Sequence, residues 1–164
     1  SCNIVTRHED KFVLNRVAHY YHSGNESGRV KAMSVYAREI EQFVKWCIDE
    51  FKMKYTEFFV DPSCRSLREE LHLIGIQTRP ADNNSGDIKG SSRGIEVGIE
   101  RAQNAITNEQ FFLVNIDDRY GHYHFIKELG MYVRDENGNP IDDYDHAMDE
   151  FRYSVNYFYR NYVL

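Results

Sequence analysis

Phe12-Val13-Leu14-Asn15-Arg16-Val17-Ala18-His19-Tyr20-Tyr21 is a run of β-branched and aromatic residues with one arginine in its middle. Such a run reads as a strand. Upstream, a second strand-like stretch runs from Cys2 toward His8, and Glu9-Asp10 joins the two as a short polar turn. Together they predict a hairpin. The sequence starts inside that first stretch, with no initiator methionine and no capping turn. The expectation is a piece of a longer protein.

Downstream the period changes. Residues 23–29, with two glycines, predict a loop. Met33, Tyr36, Ala37, Ile40, Phe43, Val44, Cys47, Ile48 and Phe51 then recur at helical spacing, which predicts a long amphipathic helix. Residues 56–60 predict a short buried strand that stops at Asp61-Pro62. Residues 63–73 return to the helical period, and Gly75 supplies the stop. Residues 76–79 predict a short strand, and 82–92 a polar, glycine-rich, mobile loop. A helix over 95–106 and a strand over 111–116 follow, and residues 120–129 are ambiguous in their pattern, with helix the preferred reading. Residues 134–144 hold Asn137-Gly138 and Pro140, so a loop or hairpin turn is expected there. The last helix spans about 145–159. A hairpin followed by alternating strands and helices predicts an α/β sheet with helices on both faces, in one domain over residues 1–164.

Composition narrows the function. A chain of 164 residues can bury a real core. No apolar stretch approaches the ~20 residues that span a bilayer, and no basic-then-apolar leader is present. Three cysteines at no metal-finger or redox spacing fit a reducing compartment. A net charge of −6 is unlike a typical nucleic-acid-binding domain, so any basic footprint must be local. Arg65, Arg68, Arg79, Lys89, Arg93 and Arg101 are the candidates. A glycine-rich phosphate loop ending in Lys-Ser or Lys-Thr is absent from the sequence.

The chemistry concentrates near the end, in Asp145-His146-Ala147-Met148-Asp149-Glu150-Phe151-Arg152-Tyr153. On a helix, His146, Asp149 and Tyr153 share one side, while Met148, Phe151, Val155 and Phe158 share the other. An imidazole and a carboxylate one turn apart are ligand types for Mg²⁺ or Mn²⁺. A polar stripe that simply faces water has the same spacing. Asp61 is the second candidate. It follows an apolar strand directly, and in open α/β sheets sites lie beyond the carboxyl ends of strands. Asp61-Pro62-Ser63 is equally a plain strand-to-helix turn with Asp or Ser as the cap. His122 and His124 alternate as strand residues would, and a surface role is expected for both. Two-metal phosphodiester hydrolysis needs several carboxylates that hold two cations ~4 Å apart. Asp61, His146 and Asp149 are such a set, short by at least one acid.

With these residues in view, the chain resembles the C-terminal nuclease domain of tailed-phage terminase large subunits, the DNA-packaging proteins. Lys11-Phe12-Val13-Leu14 through His19-Tyr20-Tyr21-His22-Ser23-Gly24 is similar to the family's second and third strands. Phe59-Val60-Asp61-Pro62-Ser63 resembles its second acidic motif, and Leu71-His72-Leu73-Ile74-Gly75-Ile76 the helix and strand that follow. Asn83-Asn84 and Gly94-Ile95 are similar to the next loop and helix. Lys127-Glu128-Leu129 with Met131-Tyr132 resembles a Glu-Leu-x-x-Tyr signature, and residues 145–153 resemble the closing motif.

The resemblance implies an RNase H-like mixed sheet and endonucleolytic cutting of concatemeric double-stranded DNA with two Mg²⁺ or Mn²⁺ ions. It implies metal-binding roles for Asp61 and Asp149, and for His146 a ligand or water-orienting role. Only neutral imidazole ligates, so activity is expected to fall at low pH. Asp145 is expected to cap the last helix, and Glu128 to be structural. Lys89 and Arg93 are candidates to touch DNA phosphates, though a solvated loop explains them as well. The implied partners are DNA, an ATPase domain, a portal ring and a small terminase subunit, with no membrane. The implied location is the cytoplasm of an infected or lysogenic bacterial host. The chain departs from the family in one respect: the first strand, which ends in an aspartate, is not in this sequence. An RNase H-like module that only grips DNA or the portal ring is the alternative.

Overall fold

A computed structural model describes residues 1–83, 93–140 and 145–163. It is a mixed α/β structure whose residues fall into two compact units, Ser1–His19 with Asp82–Leu164, and Tyr20–Ala81.

In the first unit, β1 (Cys2–His8) and β2 (Lys11–Ala18) form the expected antiparallel hairpin, with Val5 opposite Leu14 and His8 opposite Lys11. Glu9 makes the tight turn possible by taking a left-handed φ of 54°. The strand ends at Ala18, three residues short of the expected run, which continued through His19-Tyr20-Tyr21. β5 (Phe111–Leu113) adds to the other edge of β2 in parallel, Leu14 opposite Phe111, so the sheet order is β1-β2-β5. A parallel pair needs a long crossover, which the chain between β2 and β5 provides.

Three helices carry the core of this unit: α4 (Arg93–Thr107), α5 (Tyr123–Met131) and α6 (His146–Phe158). Leu14 from β2, Ala105 from α4 and Phe125 from α5 meet Met148, Phe151, Val155 and Phe158 from α6. The apolar stripe read from the last helix is thus buried as expected. α6 ends at Phe158, and one wider turn, Tyr159–Val163, continues it. Arg134 and Pro140 bridge antiparallel, as the hairpin-turn expectation required; residues 141–144 lie outside the described residues.

The second unit holds α1 (Gly24–Ser27), α2 (Met33–Phe51), β3 (Phe59–Val60), α3 (Arg65–Leu73) and β4 (Arg79–Pro80). The long helix α2 forms over the expected stretch and packs on α3. It buries Ala37, Phe43 and Cys47. Gly75, at φ 88°, turns the chain after α3 in a conformation that favours glycine. β3 and β4 pair in parallel as a two-stranded sheet. Three expectations need correction. The segment read as a loop over 23–29 contains the single turn α1. The strand read over 56–60 is two residues long, with Phe59 exposed rather than buried. The strand read over 76–79 is Arg79–Pro80.

Buried polar groups cluster beneath the sheet of the first unit. Arg16, the arginine inside the apolar run, is fully buried, stacks on the Phe125 ring at 4.4 Å and pairs with Glu150 of α6 at 2.5 Å. Burial alone would raise the Glu150 pKa, but the Arg16 guanidinium outweighs it and holds the carboxyl well below its ordinary value. His19 and His122 are buried nearby. Burial, reinforced by the Arg16 charge, pushes the His19 pKa from 6.5 down to about 2. Burial also lowers that of His122. His122 precedes α5 and its Nε2 lies 3.1 Å from the Val114 carbonyl. The surface role expected for it is therefore wrong: it does not sit on a strand, and α5 carries it inward.

The linkage follows from these directions. The folded chain keeps the His19 imidazole neutral well below pH 6.5, while the unfolded chain protonates it there, and the lowered His122 acts in the same direction. The contribution of His19 should be complete above pH 6.5 and fall by about 1.4 kcal/mol per pH unit below it. Urea unfolding between pH 7.5 and 4.5 checks this. Replacing His19 by glutamine should flatten the slope in that window.

Candidate functional site

α6 starts where the chain leaves Asp145, whose carbonyl accepts the Asp149 N–H at 2.7 Å. The Asp145 side chain makes no cap hydrogen bond, contrary to the expectation. Glu128 of α5 does that work: its buried carboxylate accepts the Ala147 N–H, one of the free donors of the first turn, at 2.6 Å. The structural role expected of Glu128 thus has a specific form. It ties α5 to the end of α6 that carries His146 and Asp149. Glu128→Ala should lower stability by about 2–3 kcal/mol, since it strips a buried donor of its partner. Glu128→Gln, which keeps an acceptor, should cost less; thermal unfolding of the two variants checks the order.

With its apolar stripe packed inward, α6 turns the opposite side outward. His146 is exposed, with Nδ1 3.5 Å from Asp145 Oδ1. Asp149 is partly exposed. Its Oδ1 accepts from Arg152 at 2.7 Å, and the Tyr153 hydroxyl lies 3.5 Å from its Oδ2. The spacing argument therefore holds for the helix face. Arg152 was not singled out in the sequence. It is buried, donates to the Asn83 carbonyl as well as to Asp149, and carries the Tyr153 ring 4.9 Å from its guanidinium carbon. Its neighbours in the linear motif gave no sign of this, because Asn83 is distant in the chain.

Asp61 belongs to the other unit. Its Oδ1 accepts from the Ser63 N–H at 2.7 Å and from the Ser63 hydroxyl at 2.5 Å, and its carbonyl accepts from Cys64 N–H. The carboxylate thus closes the turn between β3 and α3. It does not cap α3, whose N-cap is Cys64. Of the basic candidates, Arg79 pairs with Glu57 at 2.7 Å. Lys89 lies outside the described residues, as does the side chain of Arg93 at the start of α4. The mobility expected of residues 82–92 concerns a segment that mostly lies outside them too.

The Asp149 carboxylate is a donor type for a hard divalent cation, but Arg152 donates to its Oδ1 and the Tyr153 hydroxyl lies within reach of its Oδ2. The count is incomplete. Among the described residues no three His, Cys, Asp or Glu side chains converge as a metal site. Among the described residues no helix is long and apolar enough to cross a membrane. No protein-family model, curated protein or solved structure matches this chain.

Proposed function

We propose that this chain is the nuclease domain of a DNA-packaging terminase large subunit, with an RNase H-like fold, and that it cuts double-stranded DNA with Mg²⁺ or Mn²⁺. The reading is supported by the order of short motifs along the chain. The observation that carries it is the α6 face, where His146 and Asp149 reach outward from a helix anchored by Phe151, Val155 and Phe158. By the resemblance, ligand roles fall to His146 and Asp149, to Asp61, and to an acid from a preceding strand. Bound divalent ions would activate water and stabilise the leaving oxygen. The chain's own part is to hold the ligands on a rigid helix and to present them to a phosphodiester. Lys89 and Arg93 are proposed to contact DNA phosphates, a role that predicts weaker binding as salt rises.

The experiment compares nicking of supercoiled plasmid with Mn²⁺ by this chain, by a form extended at its N-terminus through the strand that the resemblance implies, and by Asp149→Ala in the extended form. Nicking by the extended form, lost on substitution, is the expected result. One observation favours a second reading, a non-catalytic module that docks on DNA or on a portal ring: the ion pair of Asp149 with Arg152 accounts for that carboxylate without any metal. Equal, metal-independent plasmid retention by all three forms would select it.

A further inference from the structure

α5 is apolar on two sides. Its inner side sends Phe125 into the core and the Glu128 carboxylate to the first turn of α6. The outer side of such a helix is usually charged. Here it is not. The exposed residues of α5 are Tyr123, Ile126, Leu129, Gly130 and Met131, none of them charged, and Val133 follows just past the helix end. His124 and Lys127 flank the row and are partly buried. Exposure of the apolar side chains runs from 39 % at Met131 to 69 % at Tyr123. Together they bare on the order of 500 Å² of apolar surface, near the upper size for one patch on a monomer.

Two helical glycines differ in what the fold asks of them. Gly98 of α4 has an internal reason: a Cβ there would stand 2.7 Å from Arg152 Cγ. Gly130 has none. A Cβ at Gly130 would meet nothing within 4 Å, and its φ lies outside the left-handed region in which glycine closes a helix. Glycine inside a helix weakens it, so a glycine that its own fold does not need points to close approach from outside. Tyr123 and Gly130 lie two turns apart on the same side of α5, with Ile126 between them. A second α5 laid antiparallel on the first, about a two-fold axis at Ile126, puts each Tyr123 ring on the bare backbone of the other Gly130. The two Ile126 side chains then meet at the axis. Such a contact is self-complementary, since the same pair of residues meets twice. No exposed charge in the row opposes it, although the whole chain carries −6.

We propose that the outer face of α5 is a docking surface for a second copy of this chain, closed about a two-fold axis near Ile126. About 500 Å² from each copy buries about 1,000 Å² in total, the least that a specific interface needs. The dimer is therefore weak and depends on concentration. It owes nothing to the α6 face or to any cation.

Sedimentation equilibrium of the 164-residue chain, from low micromolar to near-millimolar concentration, tests this. The mass should rise from that of one copy toward that of two and stop there. Ile126→Lys should remain a single copy throughout. Gly130→Gln probes the seat of Tyr123 separately. It has room within one copy and improves the helix, so it should melt no lower than the parent, yet dimerise about tenfold or more weakly. Mixing Ile126→Lys with Ile126→Glu should give more dimer than either variant alone, because opposite charges then meet at the axis. Circular dichroism shows that each variant is folded, and both positions are exposed. A parent that stays a single copy at every concentration would overturn the proposal and leave the row to an occupant of another kind. A dimer of unchanged affinity in both Ile126→Lys and Gly130→Gln would overturn it too, by placing the contact elsewhere. So would a mass that grows past two copies, which would mean adhesion without a closed interface.

Discussion

Glu150→Ala should destabilise the chain by about 3–5 kcal/mol, the usual consequence of removing one partner from a buried ion pair. Arg16 has no exposed surface, and Glu150 is its charge partner, at 2.5 Å. Stacking on Phe125 at 4.4 Å offsets part of its desolvation but cannot neutralise it. Without the carboxylate, β2 would carry an uncompensated cation into the core. The contact also joins the central strand to α6, so its loss loosens the helix that carries His146 and Asp149. Urea unfolding at pH 7.5 measures the change. Removing both charges together, as in Arg16→Met with Glu150→Leu, should restore most of the loss. A double variant as unstable as Glu150→Ala would show that the damage comes from packing and not from the orphaned charge. Acid should have a similar effect. Because the folded-state pKa of Glu150 is depressed, its contribution is complete above the ordinary carboxylate range and fades as pH falls below it.

Phe151→Ala is the second large effect, expected to cost about 3–5 kcal/mol. Phe151 is buried on the inner side of α6, its ring 4.4 Å from Phe111 and 5.3 Å from Phe125, the latter edge to face. One ring therefore holds β5, α5 and α6 together. Truncation leaves a cavity that these elements cannot close without moving. The melting temperature should fall by roughly 10 °C. Phe151→Leu, which keeps most of the volume, should cost about 1.5 kcal/mol or less. Equal losses for the two would mean that the ring geometry, not the volume, matters.

The periodic elements were the legible part of the fold. α2 and α6 show helical spacing over many residues; α6 buries the stripe that the spacing named, and α2 buries Ala37, Phe43 and Cys47 from its own, with Met33 left exposed. The hairpin was legible because two apolar runs flank a two-residue polar turn. The short strands β3 and β4 were not, since two residues carry no period, and only pairing across the chain defines them. The helix around Phe125 was ambiguous for a related reason. His122 and His124 alternate as in a strand, yet the contacts of Phe125 with Phe111 and Phe151 are satisfied by a helix.

The candidate site divides in the same way. His146 and Asp149 could be placed on one helix face from their spacing alone. What surrounds them could not. Glu128 reaches α6 from α5, Gly98 makes room from α4, and Asn83 anchors Arg152 from a loop. None of these neighbours has a fixed distance in sequence from the residue it serves. Arg16 is the exception with a local signal. A lone arginine inside a strand-like apolar run needs a carboxylate partner once buried, and the partly buried Glu150 supplies it. Asp61 carried two readings in the sequence, a turn and a ligand. Its bonds to Ser63 realise the first and leave the second to experiment.

The most direct measurement is the Mn²⁺ dissociation constant of Asp61→Ala beside that of the parent chain. The ligand role that the resemblance implies for Asp61 predicts binding at least tenfold weaker in the variant, the scale of losing a contact that supports the ion. Equal constants for two folded proteins would show that the carboxylate at position 61 serves only its turn, and would contradict the account.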